Sequence, residues 1–442
     1  MLVVLTLLFI LSGAAGLFYE SVWARYLGLF VGHNAYAQVI VLVIFLGGMT
    51  IGAMLVGRYS ERIREPLLGY ALVEAAVGVA GLFFHSVYLG VTDWAYASVF
   101  PATAGSVLLT VSKWGLAALL ILPQSVLLGA TFPLMSAGAL RRVRREPGRT
   151  LAILYFANSL GAAVGVLMAG FYLVETAGLP GTILAATILN FVVAIGAMVA
   201  MRYGPGPATE AESAPVAAGE PPVIPAGLTQ VGLRRLLLGV SFGTAVASFI
   251  YEIAWIRMLA LVLSSATHAF ELMLSAFILG LALGAYWVRQ RADRFADPIR
   301  ALGVVQWLMG LLALATVPIY FGAFDWTATL IHAFARSGPG YAGFTVARYG
   351  ICLLVMLPAT FCAGITLPLI TRTLVLGGEG ERAIGQVYGV NTLGSILGVS
   401  LAALVLMPLV GLKPLLATGA LLDMAIGVGL LAVGRVPARR RL

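Results

Sequence analysis

One pattern occurs twice in this chain, as YESVWAR at Tyr19–Arg25 and as YEIAWIR at Tyr251–Arg257. Each copy places a carboxylate and a guanidinium toward the end of an apolar run that is long enough to cross a bilayer. Charged side chains are costly at that depth, so each of them needs a partner or a function. The pattern therefore indicates a membrane protein with an internal repeat.

The composition excludes a soluble globular domain. Hydrophobic residues make up 61% of the chain, charged residues make up 10%, and the mean hydropathy is +1.00. These values are typical of a protein whose main solvent is lipid. The two cysteines, Cys352 and Cys362, lie in one apolar segment and look like small core residues, so we expect no metal and no cofactor. No basic soluble module is present, which argues against nucleic-acid binding.

Apolar runs of about 20 residues, the length that crosses a hydrocarbon core of about 30 Å, recur along the whole chain. They indicate about twelve spanning helices and an all-α polytopic membrane protein as the fold class. The runs lie at 3–28, 36–57, 67–90, 107–138, 150–173, 179–201, 235–262, 268–288, 300–322, 343–375, 384–407 and 413–433.

Basic residues cluster in the connections on the side that holds both termini, as at Arg58, Arg141, Arg202, Arg289 and Arg372. By the positive-inside rule we expect both termini in the cytoplasm and the protein in the cell inner (plasma) membrane. The net charge of +9 then suits the anionic headgroups of the lipid bilayer, the partner that the sequence predicts.

The repeated pattern begins a longer self-alignment, with an offset of 232 to 235 residues almost from end to end. Each half contains six predicted helices, an even number, so both copies enter the membrane from the same side. The matched positions include Phe45 with Phe277, Gly48 with Gly280, Gly52 with Gly284, Thr131 with Thr366, Tyr155 with Tyr388, and Asn158 with Asn391.

Parallel repeats of six helices, related by an axis along the membrane normal, are typical of the major facilitator fold. Sites in that fold are expected between the halves near the midplane. We therefore predict an N-terminal repeat at 1–202 and a C-terminal repeat at 234–442. The proline-rich segment 203–233 between them is predicted to be a flexible cytoplasmic linker.

The ordered motifs Tyr-Glu-x-x-Trp-x-Arg, Phe-x-x-Gly-x-x-x-Gly-Ala, Leu-Pro before Gly-x-Thr-x-Pro-Leu, and Tyr-x-x-Asn-x-x-Gly occur in both halves. In this respect the chain resembles the membrane domain of bacterial spermidine synthase-like membrane proteins. The resemblance implies a major facilitator-like segment that is fused, in those proteins, to an aminopropyltransferase domain. This chain ends directly after the last apolar run, so we expect that by itself it is not an enzyme.

The duplicated charges predict ion pairs near the outer face. In a major facilitator arrangement helices 1 and 7 would be neighbours, so Glu20 is expected to meet Arg257 and Glu252 to meet Arg25. Asp93 with Lys113, and Asp325 with Arg348, would form a second charged layer. The pairs are interpreted either as an outer gate that breaks when the cavity opens, or as a permanent clasp.

Polar residues that the two halves do not share are predicted to bind substrate, because a substrate is rarely two-fold symmetric. They are Glu74 opposite Gln306, Asp423 opposite Asn190, Gln124 opposite Ala359, and Glu271 opposite Val39. Asn158 and Asn391 are shared, and they are candidates both for helix-to-helix hydrogen bonds and for the substrate site.

Three functions stay open on the sequence alone. The first is a transporter-like membrane domain that handles a small amine or polyamine, the substrate class that the family resemblance implies. The second is a non-transporting scaffold that docks protein partners in a larger membrane complex. The third is the membrane anchor of a separately encoded aminopropyltransferase.

Overall fold

The computed structural model describes residues 1–31, 34–143, 147–204, 228–263, 268–334 and 338–434, and these residues are helical with no strand. Most of the predicted linker, residues 205–227, lies outside the described residues. The long helices are α1 Leu2–Val31, α2 Asn34–Tyr59, α3 Pro66–Trp94, α4 Val107–Arg142, α5 Pro147–Met168, α6 Val174–Tyr203, α7 Gln230–Val262, α8 Ala269–Val288, α9 Pro298–Ala333, α10 Gly338–Leu374, α11 Arg382–Ser400 and α12 Leu412–Gly434.

Eleven helical segments within the described residues are long and apolar enough to cross a membrane. One of them, Pro147–Tyr203, has 57 residues and reverses direction at Gly178, whose φ is 68°. Gly411, its partner in the repeat, has a φ of 79° and separates α11 from α12 in the same way. Only glycine adopts such backbone angles without strain. The long segment is therefore two crossings, which confirms the predicted twelve.

Close helix pairs inside each half depend on the repeated glycines. A Cβ at Gly52 on α2 would overlap the carbonyl oxygen of Val126 on α4, and a Cβ at Gly284 on α8 would overlap that of Phe361 on α10. The glycines of α5 and α11 meet α1 and α7 in the same manner. The repeat thus preserves the same close contacts between helix backbones in both halves. Small residues commonly allow such contacts in membrane proteins.

The two halves, α1–α6 and α7–α12, meet mainly through α2 against α11 and through α5 against α8. Gly57 on α2 and Gly385 on α11 bring their backbones together at one end of this contact. Helices 1 and 7, which the sequence predicts to be neighbours, face each other across a cavity.

Candidate functional site

A cavity of about 240 Å³ lies between the halves. Four helices of one half, α1, α2, α4 and α5, and their repeat partners α7, α8, α10 and α11 form its wall. A smaller pocket of about 50 Å³ adjoins it and shares four of its residues, Glu20, Glu252, Leu42 and Leu274. Those four residues therefore surround the junction between the two spaces.

The cavity wall follows the sequence repeat throughout. Every residue that one half contributes has its repeat partner in the wall of the other half. The pairs are Ser12–Thr244, Gly13–Ala245, Gly16–Ser248, Leu17–Phe249, Glu20–Glu252, Leu42–Leu274, Phe45–Phe277, Leu46–Ile278, Met49–Leu281, Leu128–Ala363, Thr131–Thr366, Phe132–Leu367, Tyr155–Tyr388, Asn158–Asn391, Ser159–Thr392 and Ala162–Ser395.

Helix geometry explains why the tyrosine and the tryptophan of the Tyr-Glu-x-x-Trp motif are buried while its glutamate lines the cavity. Tyr and Trp are four residues apart and share one face, which each half buries in its own core. Tyr19 stacks on Trp23 with ring centroids 5.5 Å apart, and Tyr251 stacks on Trp255 at 5.2 Å. The glutamate between them lies on a different face of the helix, and that face lines the cavity.

Glu20 and Glu252 are the two acids in the cavity wall. Within the described residues, neither carboxylate has a hydrogen-bond or ion-pair partner. The side chain of Glu252 is almost completely buried in the protein. Two carboxylates without a hydrogen-bond or ion-pair partner around one cavity favour the binding of positive charge there.

The predicted pairs Glu20–Arg257 and Glu252–Arg25 do not form among the described residues. Arg25 instead donates to Glu271 in the first turn of α8, with a distance of 2.6 Å between Nη2 and Oε1. The cavity separates α1 from α7, whereas the start of α8 lies within reach of Arg25. Arg257 lines the smaller pocket.

Of the predicted second charged layer, the pair of Asp325 with Arg348 does not form among the described residues. Asp93 and Asp325 are exposed to the surroundings. Arg348 is buried and donates to the carbonyl oxygen of Leu263 at 3.0 Å. Lys113 lies over the ring of Phe100, 5.5 Å from its centroid. Arg348 therefore does not reach the exposed Asp325, and the pair of Asp93 with Lys113 stays a prediction.

The unshared acids Glu74 and Asp423, predicted to bind substrate, lie inside the halves and not in the cavity wall. Glu74 accepts from Ser12 Oγ at 2.5 Å and from Asn190 Nδ2 at 2.7 Å. Asp423 accepts from the Tyr251 hydroxyl at 2.7 Å. Each acid is wholly buried and joins helices of its own half. Because Ser12 lines the cavity, Glu74 lies one hydrogen bond behind its wall.

The predicted glutamines behave in the same way. Gln306 is wholly buried and donates to Thr244, a residue of the cavity wall. Gln124 donates to the carbonyl oxygen of Val77 at 3.2 Å. By contrast, the predicted asparagines Asn158 and Asn391 both line the cavity.

Polar contacts join the halves at both ends of the cavity. At the face where α1 begins and α12 ends, Arg141 binds Glu381 through two hydrogen bonds of 2.6 and 2.7 Å. There Asp293 accepts from the backbone N–H groups of residues 148 and 149 at the start of α5, at 3.1 and 2.9 Å, and from Arg372 at 3.2 Å. At the opposite face, Arg25–Glu271 is accompanied by a contact of 3.1 Å between His268 and Glu175.

Three solved structures with the same fold are of membrane transporters. The Escherichia coli fucose:proton symporter FucP matches with 15% identity and a TM-score of 0.58, over 98% of this chain and 97% of that one. FucP in the outward conformation matches with 16% identity and a TM-score of 0.60 over the same shares. The proton:xylose symporter XylE bound to 6-bromo-6-deoxy-D-glucose matches with 13% identity and a TM-score of 0.54, over 99% and 96%.

No family model and no curated protein sequence matches this chain. The structural matches confirm the predicted all-α fold of the major facilitator type. They give no support to a link with spermidine synthase-like proteins.

Proposed function

We propose that this membrane protein of the major facilitator fold is a transporter for a small organic cation, an amine, which binds between the two halves at Glu20 and Glu252. The observation that carries the proposal is the presence of these two carboxylates around one cavity, neither of them in an ion pair among the described residues, while Arg257 lines only the adjoining smaller pocket. An ammonium group would supply the missing charge and hydrogen-bond donors.

The position of the cavity supports transport over a scaffold. It lies at the interface that separates the halves, where rocking of one half against the other exposes a site to alternate sides of a membrane. The polar contacts that join the halves at its two ends are ion pairs and backbone capping, and such contacts contribute little where water reaches them.

We further propose that the repeats span 1–202 and 234–442, and that both termini and the linker 203–233 are cytoplasmic. The basic residues at the ends of the helices on that face support this orientation. Reporter proteins fused after residue 442, one active only in the cytoplasm and one active only outside, test it. Activity of the external reporter alone would contradict the orientation.

Uptake by reconstituted proteoliposomes tests the transport proposal. We expect accumulation of radiolabelled butylamine or diaminobutane and no accumulation of fucose or xylose. The double variant Glu20→Gln/Glu252→Gln should lose uptake, while Asp325→Asn, which changes an exposed acid outside the cavity wall, should keep it. Uptake of a sugar, or equal amine uptake by the double variant, would contradict the proposal.

A further inference from the structure

We infer that the amine bound at Glu20 and Glu252 is an α-amino acid, whose carboxylate binds Arg257 in the smaller pocket. This inference rests on the transport proposal above and names the substrate class of the same site. Three observations lead to it: a guanidinium group without a partner, an acid that one half lacks, and the unequal size and lining of the two adjoining spaces.

Arg257 shares a pocket with both glutamates. It lines the smaller pocket together with Glu20 and Glu252. Among the described residues none of these three side chains has an ion-pair or hydrogen-bond partner, and Arg257 is partly buried. Opposite charges therefore surround one space without contact between them. A ligand that carries both charges would bridge them.

The repeat indicates what kind of partner Arg257 lacks. Its repeat partner Arg25 donates to Glu271 on α8 at a distance of 2.6 Å. The position that corresponds to Glu271 on α2 holds Val39, and Val39 lines the same small pocket as Arg257. A ligand carboxylate in that pocket would therefore serve Arg257 as the Glu271 carboxylate serves Arg25.

The smaller pocket is unequal in the two halves, whereas the wall of the larger cavity is paired throughout. Arg257 borders the pocket, but its repeat partner Arg25 does not. Ser21 also borders it, and the repeat partner of this serine is the apolar Ile253. Such a pocket gives a ligand with two different ends one preferred orientation.

Size assigns the parts of the ligand to the two spaces. A water molecule takes roughly 30 Å³, so the smaller pocket of about 50 Å³ has room for a carboxylate and not for a whole amino acid. The ammonium group would lie at the junction, where Glu20 and Glu252 border both spaces. Its three N–H donors allow bonds to both glutamates at once.

The larger cavity, of about 240 Å³, would then hold the side chain of the amino acid. Leu42 and Leu274 border both spaces, and Phe45 and Phe277 follow one helical turn further along in the cavity wall. An aliphatic or aromatic side chain would lose its contact with water against these residues. The substrate class is therefore an α-amino acid with an apolar side chain.

The charges favour a zwitterion over a simple amine. An amine without a carboxylate would leave Arg257 unpaired beside the occupied site, at a cost in binding free energy. A zwitterion supplies a carboxylate to Arg257 and an ammonium group to the glutamates in one binding event. Two carboxylates and one guanidinium sum to a charge of minus one, which a zwitterion leaves unchanged, so the glutamates share a single ammonium group.

Calorimetry on the purified full-length protein in detergent tests the inference with leucine and two analogues. Leucinamide keeps the shape of leucine without its negative charge, and 3-methylbutylamine lacks the carboxylate altogether. At a pH of about 6.5, below the usual pKa of all three amino groups, we expect leucine to bind at least about tenfold more tightly than either analogue. Equal affinity for the three compounds would overturn the inference.

Arg257→Gln should reduce leucine affinity to the level of leucinamide, and it should change the affinity of both analogues by no more than about twofold. Arg235→Gln is the matched control, because it changes an exposed arginine of the same helix outside both spaces. It should bind leucine like the wild type. A full preference for leucine in the Arg257→Gln variant would contradict the assigned role of Arg257.

A second variant pair keeps the test valid if Arg257→Gln folds poorly. Val39→Glu supplies the acid that the other half has as Glu271, so it should compete for Arg257 and remove the preference for leucine over leucinamide. Val39→Gln has the same size without the charge, and leucine should remain the preferred ligand. The same preference in the Val39→Glu variant as in the wild type would overturn the inference.

The failure of this inference is distinguishable from failure of the proposed function. Equal affinity for leucine and 3-methylbutylamine, with both lost in Glu20→Gln/Glu252→Gln, overturns the amino acid and leaves an amine transporter. Binding of 4-methylpentanoate, which is leucine without its amino group, as tightly as leucine would overturn both. Absence of binding by leucine and by every amine would also overturn both.

Discussion

Arg25 on α1 and Glu271 on α8 form an ion pair of 2.6 Å that joins the two halves of the molecule. The Glu271 side chain is 6% exposed and the Arg25 side chain is 32% exposed. The second carboxylate oxygen of Glu271 has no partner within the described residues, so this acid depends on the arginine.

Removal of the arginine should therefore destabilise the protein. We expect Arg25→Gln to lower the free energy of unfolding by about 1–2 kcal/mol, less than for a fully buried pair because Arg25 is partly exposed. The charge-swapped variant Arg25→Glu/Glu271→Arg should recover part of the loss. Thermal unfolding in detergent measures both. Additive losses of stability in the double-mutant cycle of Arg25 and Glu271 would show that the pair makes no net contribution.

The repeated glycines give a prediction about folding. Gly52→Ala and Gly284→Ala should each reduce the yield of folded protein, because the added Cβ overlaps a carbonyl oxygen of the neighbouring helix. Gly90→Ala is the control, since a Cβ there meets nothing within 4 Å. It should be neutral or stabilising by about 0.5–1 kcal/mol. Size-exclusion profiles and melting temperatures provide the comparison.

Equal melting temperatures for the Gly52, Gly284 and Gly90 variants would contradict the proposed role of close backbone approach. The two halves should also respond alike, because the same pair of helices, second against fourth, is involved in each.

Asp293 should control access to the cavity from the face near the termini. Asp293→Asn weakens the cap on the start of α5 and the bond to Arg372, so we expect more frequent separation of the halves there. Thr392→Cys, in a protein with Cys352 and Cys362 replaced by alanine, provides a thiol in the cavity wall. Its labelling by a maleimide should become several-fold faster in the Asp293→Asn background.

The matched control for that experiment is Asp297→Asn. Asp297 caps the start of α9 by accepting from the N–H of Arg300 at 2.9 Å, within one half. It should leave the labelling rate unchanged. Equal acceleration by both substitutions would mean that loss of any helix cap, and not loss of the contact between halves, opens the cavity.

Glu74 should act on stability and not on binding. Glu74→Leu leaves Ser12 and Asn190 without their buried acceptor, and we expect a loss of about 1–3 kcal/mol in unfolding free energy. Amine affinity should stay within about twofold of the wild type when measured below the melting temperature. A loss of binding as large as that of Glu20→Gln would place Glu74 in the site, as its residue type alone suggested.

Periodicity and the repeat were enough to predict the twelve helices, since a bilayer imposes their length and the offset of 232 to 235 residues pairs them. The cavity residues were harder to predict. The self-alignment pairs Thr131 and Tyr155 with their repeat partners but assigns them no role, and it leaves Asn158 open between helix packing and the substrate site. The paired wall shows that repeated residues can face a shared space, because an axis through the cavity brings both copies to it.

Ion pairs were predicted from charge and depth, which give the level of a residue in the membrane but not its neighbours. Glu271 was identified as an unshared acid, yet its pairing with Arg25 depends on how α8 begins beside the other half. The partners of Glu74 depend in the same way on the faces that α1, α3 and α6 present to each other. Sequence spacing within one helix does not contain that information.

Because each residue of the cavity wall has its repeat partner in the other half, the wall treats the two ends of a bound ligand alike. A ligand with identical ends forms the same complex whichever end enters first, so both encounter geometries are productive. A ligand with different ends has two distinct complexes of different energy and must turn around when it enters the wrong way. Such a wall therefore discriminates between substrates by their internal symmetry as well as by their charge.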